Sequence, residues 1–287
     1  MNFEIQLKNY IDEINIQLNN EFKNKNGKIY DSMKYSLFAG GKRIRPVISL
    51  AVSDALEGMH NAALCFGCAL EMIHTYSLIH DDLPCMDNDD FRRGKPTNHI
   101  VFGEDMAVLA GDALLNFACE CITNNCEIDD SIKIKALKIL FSASGAEGMI
   151  GGQVIDMMSE NCSVSEETLI LLHKKKTGAL IKASASLGAI SADNPANLLD
   201  NYASSLGLAF QIRDDILDVE GCKEKFGKPI HSDEKNSKTT YVSLYGVGGA
   251  KALLKEETDK AIASLEFLGN KSEFLRRLAL YLLNREN

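Results

Sequence analysis

A dense group of carboxylates follows a long apolar segment. Five aspartates lie within ten residues: Asp81, Asp82, Asp87, Asp89 and Asp90. Residues 61–79 before them predict a buried helix, and at its carboxyl end the helix dipole and mutual repulsion both oppose negative charge. An acidic solvated loop is one interpretation. The other is a site for Mg²⁺ or Mn²⁺, since Mg²⁺ prefers one or two carboxylates together with phosphate oxygens of a substrate.

A second acidic cluster stands more than a hundred residues later, again at the end of a helical pattern. It contains Asp214, Asp215 and Asp218. Asp214 and Asp218 are four residues apart and share a helix face, whereas Asp215 is turned by about 100° from Asp214. Two similar acidic helix ends indicate a facing pair that could hold several divalent ions around a diphosphate.

Basic residues are grouped in four compact motifs beside glycine, proline or threonine. These occupy residues 40–46, 92–95, 175–178 and 225–239. Arginine matches phosphate oxygens with two parallel hydrogen bonds, and lysine adds a movable charge. Each motif alone is typical of a solvated basic turn. Four of them together with two acidic clusters favour a site for diphosphates.

Composition limits the classes of partner. The 287 residues include 31 Lys+Arg and 40 Asp+Glu, a net charge of −9, which argues against nucleic acid as the main partner. With 45% hydrophobic and 25% charged residues, the chain is typical of a globular protein. Residues 1–10 lack the pattern of a signal peptide, and polar residues interrupt the apolar segment 61–79. We therefore expect a cytoplasmic protein without a transmembrane segment.

The cysteines predict no special chemistry. Most of the eight lie inside helical patterns, as small reduced core residues of a cytosolic protein do. Cys65 and Cys68 form a CxxC pair, but no second pair follows at the spacing that structural zinc requires. A metal or redox role for this pair is therefore not expected.

Periodicity predicts an all-α protein. Apolar residues recur every three or four positions, and no convincing alternating strand with a hairpin turn signal interrupts them. Residues 61–79 are apolar nearly all round, as in a central helix enclosed by others. No linker divides the chain, so residues 1–287 are expected to form a single helical domain. The predicted helices span residues 3–22, 29–39, 44–57, 61–82, 105–125, 131–149, 165–191, 196–218, 250–268 and 271–283.

The motifs resemble those of the trans-isoprenyl diphosphate synthase family, and within it the bacterial-type farnesyl diphosphate synthases. Asp81 to Asp87 resembles the first aspartate-rich motif in its DDxxxxD form, and Asp214 to Asp218 resembles the second, DDxxD. The resemblance runs from about residue 34 to residue 244 with the motif order intact. It implies an all-helical isoprenoid synthase fold with a central cavity, a homodimer, and three Mg²⁺ ions, with Mn²⁺ as a possible substitute.

The resemblance also implies roles for individual residues. The expected metal ligands are Asp81, Asp87 and Asp214, with Asp82, Asp215 and Asp218 as direct or indirect helpers. The diphosphate of isopentenyl diphosphate would be bound by Lys42, Arg45, His74 and Arg93. The allylic diphosphate would be bound by Arg92, Lys176, Thr177, Gln211, Lys228 and Lys238.

The implied reaction agrees with the chemistry of these residues. Metal ions and cations such as Lys176 withdraw charge from the allylic diphosphate, so its C–O bond ionises to a carbocation. The double bond of isopentenyl diphosphate attacks C1, and a proton is lost to the released diphosphate. Since no nucleophilic side chain is required, we assign no catalytic role to His80 or Cys85. We expect His80 to be a packing residue or to support the neighbouring aspartates.

Product length is predicted from the helix before the first motif. Tyr76 lies five residues before Asp81, about 7.5 Å along the helix axis, where the growing tail would extend. In the related synthases an aromatic residue at this position, with the two-residue insertion in the motif, is associated with a fifteen-carbon product. Ser77 beside it is small, so Tyr76 would form most of the floor. Tyr76 as an ordinary core residue and a twenty-carbon product remain the alternatives.

The motif residues count against two other functional classes. A terpene cyclase usually replaces the second motif with an Asn/Ser/Glu triad and lacks cations such as Lys42 and Arg45. A non-catalytic synthase subunit would be free to lose motif residues, whereas both motifs are complete here. Two features concern only how the chain would close over the bound diphosphate. Val242 stands where related enzymes commonly have proline, and Arg285 could approach phosphate from the C-terminus.

Overall fold

The structure is a computed structural model that describes residues 2–125, 127–160, 162–220 and 239–284. Most of these residues are helical, and the sheet among them has two short strands. The elements are α1 (Phe3–Glu21), α2 (Lys28–Leu37), α3 (Ile44–Ala55), α4 (His60–Asp81), β1 (Phe91–Arg92), β2 (Lys95–Pro96), α5 (Asn98–Phe102), α6 (Glu104–Thr123), α7 (Asp130–Ser144), α8 (Met149–Met158), α9 (Glu166–His173), a π-helical turn (Lys174–Gly178), α10 (Ala179–Ser191), α11 (Asp200–Glu220), α12 (Tyr241–Ala263), a 3₁₀ segment (Glu266–Ser272) and α13 (Glu273–Leu283).

The predicted central helix is confirmed. α4 packs against α1, α3, α6 and α10, and its side chains Phe66, Leu70 and Ile73 are fully buried. Gly67 lets α3 approach closely, because a Cβ there would lie 2.9 Å from Cβ of Pro46. α4 and α6 are both long and apolar enough to cross a membrane, but most of α4 is enclosed by protein, as a core helix is.

Two predicted helices are interrupted. The helix expected over residues 131–149 ends at Ser144, and α8 begins only at Met149. Gly145 and Gly148 between them have extended or non-helical backbone angles, which glycine adopts at little cost. The helix expected over residues 165–191 contains the π-helical turn Lys174–Gly178, which periodicity alone does not distinguish from an α-helix.

A small hairpin was not predicted. β1 pairs with β2 in antiparallel register, and the turn between them is Arg93-Gly94. Both turn residues have positive φ, 54° and 74°, as a type I′ turn requires. The strands have two residues each, too few to show an alternating pattern. The helix α5 after the hairpin was not predicted either, because its five residues are too few to show a helical period.

The start of α12 also differs from the prediction. The helix begins at Tyr241 rather than at Ala250, and it is kinked at Gly246, where φ is 66°. A reciprocal capping box between Thr240 and Ser243 satisfies the first amide groups. Since the prediction relied on apolar spacing, it missed a helical start that capping determines.

The cysteines are free thiols wherever the structure describes them. Cys65, Cys68 and Cys121 are buried, as predicted for core residues. Cys85 and Cys162 are exposed, so the core interpretation was wrong for these two.

Candidate active site

The end of α4 presents the first aspartate motif. Asp81 is the last residue of the helix, and its carbonyl accepts a hydrogen bond of 2.8 Å from the amide of Asp87. The turn brings Asp87 back toward Asp81, so the charge of Asp87 acts on the Asp81 carboxyl group. Burial raises the pKa of Asp81 to about 6; the charge of Lys176 opposes this increase, and the charge of Asp87 adds to it. A buried carboxyl group of this kind favours a neighbouring cation.

Asp82 has a different part in the motif. It is buried, and its two oxygens accept hydrogen bonds of 2.7 and 2.8 Å from Nε of Arg92. Nη2 of Arg92 lies 2.6 Å from the same carboxylate. Asp82 therefore holds the hairpin, and the arginine on it, beside Asp81.

The second aspartate motif has a similar distribution of buried and exposed carboxylates. Asp214 is partly exposed on α11, whereas Asp215 and Asp218 are buried. Oδ2 of Asp215 accepts a hydrogen bond of 2.7 Å from the amide of Tyr241, at the first residue of α12. In each motif the second aspartate thus bonds to a later part of the chain, and the first is the more exposed of the two.

Lys176 lies on the π-helical turn. Its Nζ is 2.5 Å from Oδ2 of Asp156 on α8, and its charge acts on Asp81. Two glycines allow the turn to pack between helices. A Cβ at Gly152 on α8 would lie 2.2 Å from the Lys176 amide nitrogen, and one at Gly207 on α11 would lie 3.2 Å from Cα of Gly178.

A hydrogen-bonded network connects this turn with the second motif. Oε1 of Gln211 accepts a bond of 3.0 Å from the Thr177 hydroxyl, and Nε2 of Gln211 donates to Asp214 over 3.3 Å. Nδ1 of His173 lies 3.2 Å from the same Oε1. Burial lowers the pKa of His173 to about 4, so the ring is neutral and Nδ1 is the nitrogen that donates. The orientation of the Gln211 amide is therefore fixed from two sides.

A cluster of cations adjoins the first motif. Burial lowers the pKa of Arg45, with Glu71 and Asp214 acting to raise it and Arg93 acting to lower it. Arg45 is thus within electrostatic range of both Arg93 and the second motif. Its Nε is buried and has no hydrogen-bond partner in the described part of the chain, as expected of a donor that awaits a ligand.

Arg93 and His74 complete this cluster. Arg93 donates to the carbonyl of Gly40 and covers Gly41, where a Cβ would lie 2.7 Å from Nη1. The φ of Gly41 is 127°, so glycine is required there on both grounds. Burial, with the charges of Arg45 and Arg93, holds the pKa of His74 well below its usual value, so His74 is a neutral member of the cluster. Lys42, which follows Gly41 in the sequence, is partly exposed.

The donor set fits Mg²⁺ bound together with a diphosphate. Among the described residues, no three His, Cys, Asp or Glu side chains form a cage that could hold an ion alone. Carboxylates are instead supplied by Asp81 at the end of α4, by Asp87 in the turn after it and by Asp214 on α11. Mg²⁺ typically takes its remaining ligands from phosphate and water. Lys228, Lys238 and Arg285 lie outside the described residues.

Comparison with known proteins decides the family. The sequence model of the polyprenyl synthetase family matches residues 26–270. The chain belongs to this family. A farnesyl diphosphate synthase of Micrococcus luteus is 45% identical over 97% of this chain and 96% of its own. A geranylgeranyl diphosphate synthase of Cyanophora paradoxa is 46% identical over 90% and 88%. The solved FPP/GFPP synthase of Zymomonas mobilis superposes with a TM-score of 0.87 at 36% identity, covering 98% of each chain.

Membership of the polyprenyl synthetase family confirms the resemblance inferred from the motifs. The predicted all-α class and isoprenoid synthase fold are also confirmed. The structure places Lys176 within electrostatic range of Asp81, and Arg45 within electrostatic range of Asp214 and Arg93. The roles of the individual residues stay predictions.

In this polyprenyl synthetase Tyr76 is buried five residues before Asp81, the last residue of α4. Its ring is edge-on to His80, with centroids 5.8 Å apart, and its hydroxyl has no partner in the described residues. Nε2 of His80 lies 3.1 Å from the carbonyl of Val108, above Gly111, which has no side chain to block it. His80 is therefore a packing residue between α4 and α6. Ser77 donates to the carbonyl of His74 over 2.9 Å.

Sequence reasoning missed Asp156 and His173. Asp156 is an isolated acidic residue in the apolar helix α8, which is a signal that the sequence contained. His173 precedes Lys176 by three residues, a spacing too common in helices to indicate a role.

Proposed function

We propose that the protein is a Mg²⁺-dependent prenyltransferase that condenses isopentenyl diphosphate with dimethylallyl or geranyl diphosphate to give farnesyl diphosphate. The observation that carries this proposal is the electrostatic link between each aspartate motif and a partly buried cation. Lys176 acts on Asp81, and Arg45 acts on Asp214. The names of the relatives and the family match support the same class of reaction.

The two sets of cations suit two different diphosphates. Lys176 and Arg92, beside Asp81, would bind the allylic diphosphate, with Lys228 and Lys238 as further predicted ligands. Lys42, Arg45, Arg93 and neutral His74 would bind isopentenyl diphosphate. Asp81, Asp87 and Asp214 would hold Mg²⁺, three ions being expected and Mn²⁺ a possible substitute. When bound, these ions would neutralise the charge that develops on the leaving diphosphate.

The remaining steps need positioning more than acid–base chemistry. As the allylic C–O bond breaks, C1 becomes cationic and the double bond of isopentenyl diphosphate forms the new C–C bond. Gln211 and Thr177 present fixed dipoles beside the second aspartate motif. The Thr177 hydroxyl holds the amide oxygen of Gln211, so the amide nitrogen of Gln211 faces Asp214. The released diphosphate accepts the proton that the new cation loses, so no side chain has to act as a general base.

The fifteen-carbon product rests on Tyr76. Its ring is held by His80, and in this position it would block a tail longer than that of farnesyl diphosphate. The similarity to a geranylgeranyl diphosphate synthase favours a twenty-carbon product as the second candidate. Product length distinguishes the two directly.

We further propose that the protein is a cytoplasmic homodimer. α6 is apolar but less than half enclosed by the chain itself. α5 and α6 are in contact, and each carries exposed apolar residues: Ile100, Val101, Val108 and Leu109. A second copy would cover this surface in a symmetric interface.

The decisive experiment is a product assay with purified protein, isopentenyl diphosphate, Mg²⁺ and either dimethylallyl or geranyl diphosphate. The products are dephosphorylated and identified by chain length, with a chelator control. Chelator-sensitive farnesol is expected. Geranylgeraniol would support the proposed reaction but would show that Tyr76 does not limit the tail to fifteen carbons. Hydrocarbons would indicate a cyclase, and the absence of product a non-catalytic subunit.

A further inference from the structure

A buried ion pair lies beneath the cation cluster. Nη1 of Arg43 is 2.7 Å from Oε1 of Glu71, and both side chains are 3% exposed. Arg43 is the residue between Lys42 and Ile44 in the basic motif, and Glu71 lies one turn before His74 on α4. Neither residue is among the proposed ligands of a diphosphate.

Arg43 is fixed by more than this pair. Its Nε donates to Oδ1 of Asn15 over 3.1 Å, and its Nη2 donates to the carbonyl of Leu37 over 2.7 Å. One guanidinium group therefore joins α1, the end of α2 and α4. Its backbone has a φ of 51°, a left-handed conformation that a non-glycine residue adopts only when its surroundings hold it there.

Glu71 has other cations within range. Its charge acts on both Arg45 and Arg93, raising the pKa of each against the effect of burial. Yet Oε1 of Glu71 is bonded to Arg43, and Nε of Arg45 has no partner in the described residues. A buried carboxylate released from Arg43 would be attracted to Arg45 and Arg93, where charges interact strongly.

We propose that Arg43 is a positioning residue that retains the Glu71 carboxylate, so that Arg45 and Arg93 stay available for the diphosphate of isopentenyl diphosphate. This inference rests on the proposed function, because it assigns isopentenyl diphosphate to these arginines.

The test is a set of three variants: Arg43→Met, Glu71→Gln, and the double variant. Arg43→Met should raise the KM for isopentenyl diphosphate about tenfold, the effect of one hydrogen bond to a charged group, with the KM for geranyl diphosphate unchanged. Glu71→Gln should not raise it, because the competing carboxylate is gone. The double variant should recover most of the loss, because it removes the Glu71 carboxylate that Arg43→Met leaves without its partner. If Arg43→Met does not fold, Arg43→Gln, which removes the charge that retains Glu71 but keeps hydrogen-bonding groups, replaces it in the same comparison.

A purely structural role gives a different result. It would lower the melting temperature in all three variants and raise both KM values or neither, without recovery in the double variant; that pattern would overturn the inference. A rise in the KM for isopentenyl diphosphate with Glu71→Gln equal to that with Arg43→Met would also overturn it. If the wild-type protein does not turn over isopentenyl diphosphate, the proposed function itself is wrong, so the two failures are distinguishable.

Discussion

Nζ of Lys176 lies 2.5 Å from Oδ2 of Asp156 and joins the π-helical turn to α8. The carboxylate is mostly buried, whereas the Lys176 side chain is partly exposed and its charge acts on Asp81. Asp156 therefore determines where the charge of Lys176 is placed relative to the first aspartate motif.

Asp156→Asn should impair use of the allylic substrate. The change removes the charge that holds Lys176, and we expect kcat/KM for geranyl diphosphate to fall about tenfold, equivalent to about 1.4 kcal/mol. Steady-state kinetics with each substrate varied in turn would measure this. Glu147→Gln is the matched control, because Glu147 pairs with Lys175 over 3.1 Å while 93% exposed. Equal effects of the two substitutions would contradict a specific role for Asp156.

Asp81→Ala and Asp214→Ala should each abolish turnover without unfolding the protein. Each removes a proposed metal ligand and also relieves repulsion between carboxylates, so the melting temperature should not fall. We expect a loss in kcat of about a hundredfold or more, as for other groups that stabilise developing charge. Circular dichroism would verify the fold. Wild-type turnover in either variant would exclude that motif from the site.

The pH dependence of activity should reflect Asp81. Its pKa is raised from 3.8 to about 6, so the carboxyl group is protonated below that pH and cannot bind Mg²⁺. Activity at low Mg²⁺ should therefore decline below about pH 6, and added Mg²⁺ should shift the decline to lower pH because metal and proton compete. A decline independent of Mg²⁺ concentration would exclude this explanation.

The same shift has a consequence for stability. A carboxyl group whose pKa is raised on folding favours the folded state below about pH 4, and this contribution is lost as pH rises through about 6. Without Mg²⁺, Asp81→Asn should thus raise the melting temperature at pH 8 and have little effect at pH 4. Thermal denaturation at both values would measure the difference.

Tyr76→Ala should lengthen the product. The substitution removes the ring that forms the proposed floor, so geranylgeranyl diphosphate and longer chains should appear beside farnesyl diphosphate. Tyr76→Phe is the control, because the Tyr76 hydroxyl has no partner in the described residues and its loss should leave product length unchanged. An unchanged fifteen-carbon product from Tyr76→Ala would remove Tyr76 from the floor.

Gly152→Ala should damage both stability and activity. Its Cβ would lie 2.2 Å from the amide nitrogen of Lys176, so the π-helical turn must move. We expect a loss of about 1–3 kcal/mol in the free energy of unfolding, as for other overpacked sites, together with reduced turnover. Gly248→Ala is the control, since nothing lies within 4 Å of a Cβ there. Equal stability of the two variants would contradict the tight contact.

Much of the site could be predicted from local sequence. The aspartate motifs need carboxylates at fixed spacing on a helix end, and the basic motifs need cations beside flexible residues, so both are visible within ten residues of chain. The all-α class and the central position of α4 follow similarly from apolar residues around the whole helix. The interruption at Gly145 to Gly148 had a signal in its glycines, but periodicity outweighed it.

Contacts between distant residues depended on the tertiary structure. Asp156 and Lys176 are twenty residues apart and meet only because Gly152 lets α8 approach the π-helical turn. Arg43 and Glu71 meet because α3 begins beside the middle of α4. Sequence by itself determined which chemical groups the protein has, since residue type and local spacing specify them. Helix packing decided which charge is paired and which remains open to a ligand, because burial and pairing depend on neighbours from separate elements.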